Sequence, residues 1–185
     1  MEILTPASLV LREAHPAEAD IPPDDRVAEI YQAQYPRLLG LASLLTGALA
    51  QGEEVAQECF VIALRKEREK PGYLADPVWP WLRITAVRLA SRLRTRLRKE
   101  LLSRAIPSSA AVFPPAWSPE TVDVIRALGR LPPRMRACVV LAHLEDQSTG
   151  SIADQLGCSA KTVQNQLREG RHRLRAILGE SYTTS

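Results

Sequence analysis

Apolar positions recur at three- and four-residue steps along most of this chain, and those steps predict helices. In residues 26–45 they are Val27, Ile30, Tyr31, Leu38, Leu41, Ala42 and Leu45. Pro36 is expected to kink or split that helix, and Thr46-Gly47 to end it. A second helix, residues 52–66, carries Val55, Cys59, Phe60 and Ala63 inward, with Glu53, Glu54, Gln57 and Glu58 outward. Pro71-Gly72, Pro77 and Pro80 predict a loop over residues 66–80, which holds Tyr73 and Trp79. The longest predicted helix, residues 81–103, has an inward stripe of Leu82, Ala86, Leu89, Leu93, Leu97 and Leu101. Trp81 reads as a core residue at its start.

Residues 105–118 are rich in Pro, Ser and Ala, the composition of a linker, yet include Phe113 and Trp117, apolar side chains able to dock on a partner or on either domain. A helix over 119–128 follows, with Ser118 as cap and Gly129 as stop. After Leu131-Pro132-Pro133 another carries Met135, Cys138, Leu141 and Leu144 up to Asp146. The sharpest pattern is STGSIADQLGCSAKTVQNQLREGRHRLR, residues 148–175. Ser148 can cap a first short helix whose apolar stripe is Ile152, Ala153 and Leu156. Gly157 suits the left-handed residue at its end. Ser159 can cap a second helix with Val163, Leu167 and Leu174 inward, and the small Ala153 lets the two cross closely. That is the pattern of a helix-turn-helix, whose second helix enters the DNA major groove. Lys161, Thr162, Gln164, Asn165 and Arg168 form the outward face, side-chain types that bond base edges or phosphates. Arg171, Arg173 and Arg175 add charge for the backbone.

Charge sharpens this picture through its distribution rather than its sum, which is +3. Before Glu29 the acids Glu2, Glu13, Glu18, Asp20, Asp24 and Asp25 face only Arg12 and Arg26. Between Arg83 and Arg104 the balance reverses: Arg88, Arg92, Arg94, Arg96, Arg98 and Lys99 stand against Glu100 alone. So many like charges on one helix repel unless an anion lies alongside, and a phosphate backbone is the obvious one. The hydrophobic fraction of 45% suffices for packed cores in one large or two small domains. Cys59, Cys138 and Cys158 form no CxxC pair and read as reduced structural thiols; His15, His143 and His172 have no metal-ligand spacing. No transmembrane-length run, signal peptide, nucleophile–base constellation, glycine-rich phosphate loop or catalytic carboxylate pair is found, so neither a membrane protein nor an enzyme is expected, and no cofactor.

Three passages together resemble the extracytoplasmic-function (ECF) group of sigma factors in the sigma-70 family. GEEVAQECFVIALRK, residues 52–66, is similar to the family's acidic helix that docks on the polymerase clamp. WPWLRITAVRLASRLRTRLRK, residues 79–99, resembles the helix that opens and reads the −10 element. The passage from Leu131 to Arg175 is like the −35-binding domain. The resemblance implies an all-α fold of two small helical domains joined by a flexible linker. Its divisions are an acidic disordered extension (1–25), a region 2-like domain (26–104), the linker (105–118), a region 4-like helix-turn-helix domain (119–178) and a tail (179–185). It implies a cytoplasmic initiation factor that directs core RNA polymerase to promoter DNA, with an anti-sigma factor as a further partner. Glu54, Gln57 and Glu58 would face the clamp. Tyr73, Arg83, Arg88, Arg92 and Arg94 would meet the −10 region. Lys161, Thr162, Gln164, Asn165, Arg168 and Arg171 would read or position the −35 duplex.

Departures from the family pattern narrow the expectation. The family usually has Asn and Asp where Arg88 and Arg92 stand, and Glu where Ser151 stands. Its recognition helix usually offers Gly, Lys and Arg in place of Lys161, Gln164 and Gln166, and Arg in place of Glu169. Gln favours adenine over guanine as a bidentate partner and weakens the phosphate attraction. An unusual promoter, or weak binding without a second protein, is the expectation. The alternatives are a stand-alone helix-turn-helix regulator, which has no need of the clamp-like helix, and a sigma-like adaptor that does not melt DNA. The acidic extension is expected to be a plain flexible tail, the alternative being electrostatic inhibition of the basic helix.

Overall fold

The computed structural model describes residues 23–101 and 118–179, and only the backbone at Pro23, 94–95 and 97–101. Among them run seven helices and no strand: α1 (Pro23–Thr46), α2 (Leu49–Glu69), α3 (Trp79–Leu101), α4 (Pro119–Gly129), α5 (Pro133–His143), α6 (Thr149–Leu156) and α7 (Ala160–Leu178). The all-α expectation holds. Residues 1–22, the linker stretch 102–117 with Phe113 and Trp117, and residues 180–185 lie outside the described residues.

The first three helices bury their stripes against one another: Leu38, Leu41 and Ala42 of α1, Val55, Cys59 and Phe60 of α2, and Leu82 and Ala86 of α3 share one core. Each large aliphatic side chain so buried contributes roughly 1.5–3 kcal/mol. The expected break at Pro36 does not occur, and α1 runs through it. Pro36 and Gln32 both face solvent, so water can reach the Gln32 carbonyl that loses its helical partner. The acids at 24–25, read as the end of a disordered extension, lie in the first turn of α1. Asp24 accepts from Arg68 at 2.7 Å, a bond that holds its carboxyl below the usual range.

The second helix extends beyond its predicted bounds at both ends. Gly52 is a crossing point within it, not its start. A Cβ there would lie 2.3 Å from Ser43 Oγ and 2.7 Å from Ser43 Cα, so α1 and α2 meet nearly backbone to backbone. At the other end Glu67, placed by the sequence pattern in a loop, is helical and only 1% exposed. Its carboxylate accepts from the Gly72 and Leu74 backbone N–H groups at 2.6 and 2.9 Å, with the Arg26 guanidinium 3.7 Å away. Arg26 in turn donates to the Leu74 carbonyl at 2.6 Å. One buried carboxylate thus shapes the α2–α3 connection that carries Tyr73.

The remaining helices are arranged around α5, which is apolar on nearly every side and buried from Met135 to Leu141. It stops at His143, short of the expected Asp146. Leu144, predicted to point inward, is 51% exposed, and Asp146 reverses the chain at φ +47. Across α5 lies α7, which passes closest at Gly170, where a Cβ would sit 2.7 Å from Val139 Cγ2.

Both groups of helices are in contact. Gly47, at φ +79, faces Gly129; a Cβ on Gly47 would lie 2.5 Å from Gly129 Cα. Between them the buried Arg136 donates to the Thr46 carbonyl, to the carbonyls of Gly129 and Leu131 at 2.9 and 3.1 Å, and more distantly to that of Leu45. The Leu45, Thr46 and Gly129 carbonyls are ones that the ends of α1 and α4 leave without helical donors, and Leu131 lies in the α4–α5 connection.

Gly52→Ala tests the α1–α2 crossing. Propensity favours Ala in a helix by about 1 kcal/mol, but forcing a methyl against the Ser43 backbone costs typically about 1–3 kcal/mol. The expected outcome is a lower urea midpoint with unchanged slope; a stabilised variant would refute the close crossing.

Candidate nucleic-acid interface

The turn between α6 and α7 is built by the caps read from the sequence. Ser148 accepts from the Ser151 N–H at 3.2 Å, and Ser159 from the Thr162 N–H at 3.1 Å. Gly157 adopts φ +61, and the Cys158 N–H returns to the Ala153 carbonyl at 3.0 Å, closing the end of α6. Ile152, Ala153 and Val163 are buried at the crossing.

On α7 the spacing then decides which side chains are left outside. Lys161, Gln164, Asn165, Arg168 and Arg171 are exposed along one face, opposite Val163, Leu167, Gly170 and Leu174. Thr162 is half-buried, its hydroxyl 2.8 Å from that of Ser159. Arg173 bonds Glu169 at 2.8 Å, one turn back, and holds the Glu169 carboxyl below its ordinary range. That carboxylate offsets part of the charge α7 would otherwise show. Ser151 belongs to a side-chain chain in which it donates to Gln147 at 2.9 Å and accepts from Gln155 at 3.0 Å.

A second basic surface lies on α3. Arg88 and Arg92 are exposed at one helical turn's spacing, and the Arg94 side chain lies outside the described residues. Both arginines line a cleft of about 290 Å³, whose opposite wall is Arg134, Ala137, Gln155 and Leu156 from α5 and α6. Tyr73, in the loop held by Glu67, is exposed and meets Trp81 edge-on at 6.2 Å. Arg83 is different: it faces the α5–α6 connection and lies 3.7 Å from Glu145. Trp79, expected in a loop, starts α3 and is buried, donating its indole N–H to Glu145 at 2.7 Å.

The three α2 residues tied to the polymerase clamp by resemblance are all exposed, but they border two different grooves. Glu54 and Glu58 border a groove of about 470 Å³ with Arg92 and Arg96, where Glu54 accepts from Arg96 at 2.9 Å. Gln57 instead borders an apolar groove of about 480 Å³ with Tyr31, Phe60, Val61 and Leu64. Tyr31 stacks on Tyr35 at 4.6 Å and meets Phe60 edge-on at 4.8 Å. Exposed Val61, off the inward stripe of α2, was the available sequence signal for this groove. Nothing local marked Glu145 as a partner of α3.

Among the described residues no three His, Cys, Asp or Glu side chains gather as a metal site, and no helix is long and apolar enough to cross a membrane. Burial pushes the Cys59 thiol up to about 12 and that of Cys138 to about 11, which keeps both protonated near neutral pH.

Comparison with known proteins follows the same division. The Sigma-70, region 4 family model matches residues 121–174. The ECF RNA polymerase sigma factor SigE of Mycolicibacterium smegmatis is 31% identical over 164 residues, 82% of this chain and 61% of SigE. The chain therefore spans about three-fifths of that relative's length. The sigma factor RpoE, solved in complex with the anti-sigma factor NepR from Bartonella quintana, superimposes with a TM-score of 0.64 at 21% identity, over 84% of this chain and 98% of that one. CnrH, solved with the cytosolic domain of CnrY, gives a TM-score of 0.53 at 22% identity, over 84% and 88% of the two chains. These two likenesses are likenesses of fold.

The α7 geometry predicts a graded salt response on duplex DNA. Lys161→Ala and Arg168→Ala should each reduce the slope of log affinity against log salt by about 0.9 if each side chain neutralises one phosphate. Arg173→Ala should change it less, because Glu169 already neutralises that charge. Equal slopes for all three variants would place the DNA on another face.

Proposed function

We propose that the chain is a member of the ECF group of the sigma-70 family that binds core RNA polymerase, carries it to particular promoters and performs no chemistry of its own. In this reading the α1–α3 unit acts as the region 2-like domain and residues 119–178 as the region 4-like domain, working in the cytoplasm. The exposed face of α7, with Lys161, Gln164, Asn165, Arg168 and Arg171, takes the −35 duplex, and Thr162 positions its N-terminus. Tyr73, Arg88, Arg92 and Arg94 take the −10 region, where stacking on an aromatic ring offsets about 1–3 kcal/mol of the cost of unstacking a base. Glu54, Gln57 and Glu58 lie on the polymerase-facing helix. Gln164 and Gln166, short of a guanidinium's charge and fork, favour adenine-containing −35 sequences. A regulatory partner of the anti-sigma class is part of the same proposal, since RpoE was solved bound to one.

The observation that carries this reading is the pairing, in one chain, of a capped helix-turn-helix with an exposed polar α7 face and an arginine-lined α3 face. Neither face offers a catalytic constellation, and both suit a polyanion. The test is capture of core RNA polymerase by the purified full chain, followed by run-off transcription from genomic fragments. The chain should retain polymerase and produce new start sites, and Glu54→Lys with Glu58→Lys should weaken the capture. DNA binding with no polymerase capture would instead establish a stand-alone regulator. Capture without permanganate-reactive, melted thymines would establish an adaptor.

A further inference from the structure

Two exposed apolar side chains on neighbouring helices share one groove. Tyr31 of α1 is 41% exposed and Val61 of α2 is 50% exposed. Both border the groove of about 480 Å³ between α1 and α2, whose lining includes Val27, Phe60 and Leu64. Scattered exposed apolar residues are ordinary, but apolar residues gathered around a groove mark a surface that takes a partner. The two helices run antiparallel, since the start of α1 meets the end of α2 through Asp24 and Arg68 while Ser43 meets Gly52. The groove thus begins at Asp24, one residue past the first of α1. Its α1 side ends at Gln32, about 12 Å further along the helix axis.

The segment before Pro23 has the chemistry to fill that groove. Ile3, Leu4, Leu9, Val10 and Leu11 stand out in a stretch otherwise rich in acids, alanine and proline. At helical spacing Ala7, Val10, Leu11 and Ala14 fall on one side, with Thr5 in a cap position and Pro6 where a helix would start. The eleven residues 12–22 join this stretch to α1. Extended, they reach roughly 35 Å, so every point of the groove is within their span. Pro22 and Pro23 keep α1 from simply continuing backwards, because the residue before a proline is steered away from helical geometry. Charge agrees with this placement. Residues 13–22 contain Glu13, Glu18 and Asp20 and no Lys or Arg. Beside the groove, and sharing Val61 and Leu64 with it, is a hollow of about 430 Å³ that Arg65, Arg68 and Glu69 also line. Arg68 is engaged by Asp24 and Glu69 by Lys66, which leaves the exposed Arg65 to meet an acidic strand.

We infer that residues 5–14 of this chain dock along the α1–α2 groove, setting Val10 and Leu11 against Tyr31, Phe60, Val61 and Leu64, with the acidic stretch behind them beside Arg65. Tethering through so short a link gives an effective concentration in the millimolar range, so contacts too weak to hold a free peptide suffice. A consequence rests on the function proposed above. Gln57 borders the same groove, so the docked segment is an internal ligand that polymerase must displace.

The experiment uses the full chain labelled with 3-fluorotyrosine and reads the fluorine shift of each ring on exchange of water for heavy water, a measure of solvent access. Tyr73, at 40% exposure, is a matched reference for Tyr31, and Tyr31→Phe and Tyr73→Phe assign the two signals. A docked segment predicts a solvent shift for Tyr31 well below that for Tyr73. Val10→Asn with Leu11→Asn, which leaves net charge unaltered, should raise the Tyr31 shift to match while Tyr73 stays as it was. Equal shifts in the wild-type chain overturn the inference, as does a Tyr31 signal indifferent to the paired substitution. Protection of Tyr31 that fades on dilution also overturns it, since the occupant is then a second copy. Capture of core polymerase is read separately. With the groove about nine-tenths occupied, the Val10→Asn, Leu11→Asn chain should capture polymerase about tenfold more tightly than wild type. Tyr31 freed with no gain in capture overturns the competition. Absence of capture by both chains removes the initiation reading, while the Tyr31 comparison decides the docking without it.

Discussion

The structure depends on how a single buried guanidinium is satisfied. Arg136 lies on the most enclosed helix, α5, and reaches carbonyls at the ends of α1 and α4. The C-terminal ends of helices carry partial negative charge and unpaired acceptors, so they are among the few neutral partners able to solvate a buried cation. The arginine needs them as much as they need donors. For the guanidinium to reach both ends, the two helices must stop almost in contact, which explains glycine at both Gly47 and Gly129. An uncompensated buried charge costs several kcal/mol, so this contact resists partial separation. The two units meet on these terms, and the clefts beside α3 follow from it.

The basic helix poses the complementary problem. Arginines at short intervals along α3 would repel one another, and the tertiary structure supplies anions from two directions. Glu54 of α2 meets Arg96 at 2.9 Å on the exposed side, a pair that water and salt largely screen. Glu145 meets Arg83 on the enclosed side, where screening is weak. Arg88 and Arg92 remain exposed between these two pairs. Among the described side chains, the charge on α3 is thus partly offset at Arg83 and Arg96 and open between them at Arg88 and Arg92, which line the cleft under α5 and α6.

Much of the local structure was legible because it rests on near-neighbour chemistry. Ser118, Ser148 and Ser159 cap their helices as their positions suggested, since an N-cap needs only a hydroxyl and a nearby backbone N–H. Gly157 takes the left-handed turn, and Val163 and Leu167 point α7's polar face outward. Where the reading failed, a distant partner decided the outcome. Pro36 sits within an unbroken helix because the rest of α1 is held by α2 and α3. Glu67 became a buried helical residue because Arg26, far back in the chain, lies beside it. Leu144 is a local exception: α5 ends at His143, and Asp146, at φ +47, turns the chain before another helical turn could bury it.

By itself, then, the sequence determined the helical class, the helix-turn-helix and its outward side chains, and the basic character of α3. Those follow from periodicity, caps and composition, which act over a few residues. Only the tertiary structure decided that Glu54 and Gln57 open on different grooves, that Arg83 is engaged by Glu145, and that Gly52 and Gly170 are crossing points. Each of these joins residues many positions apart. A charge, a glycine or a tryptophan looks the same in sequence whether its partner is water or a side chain from another helix.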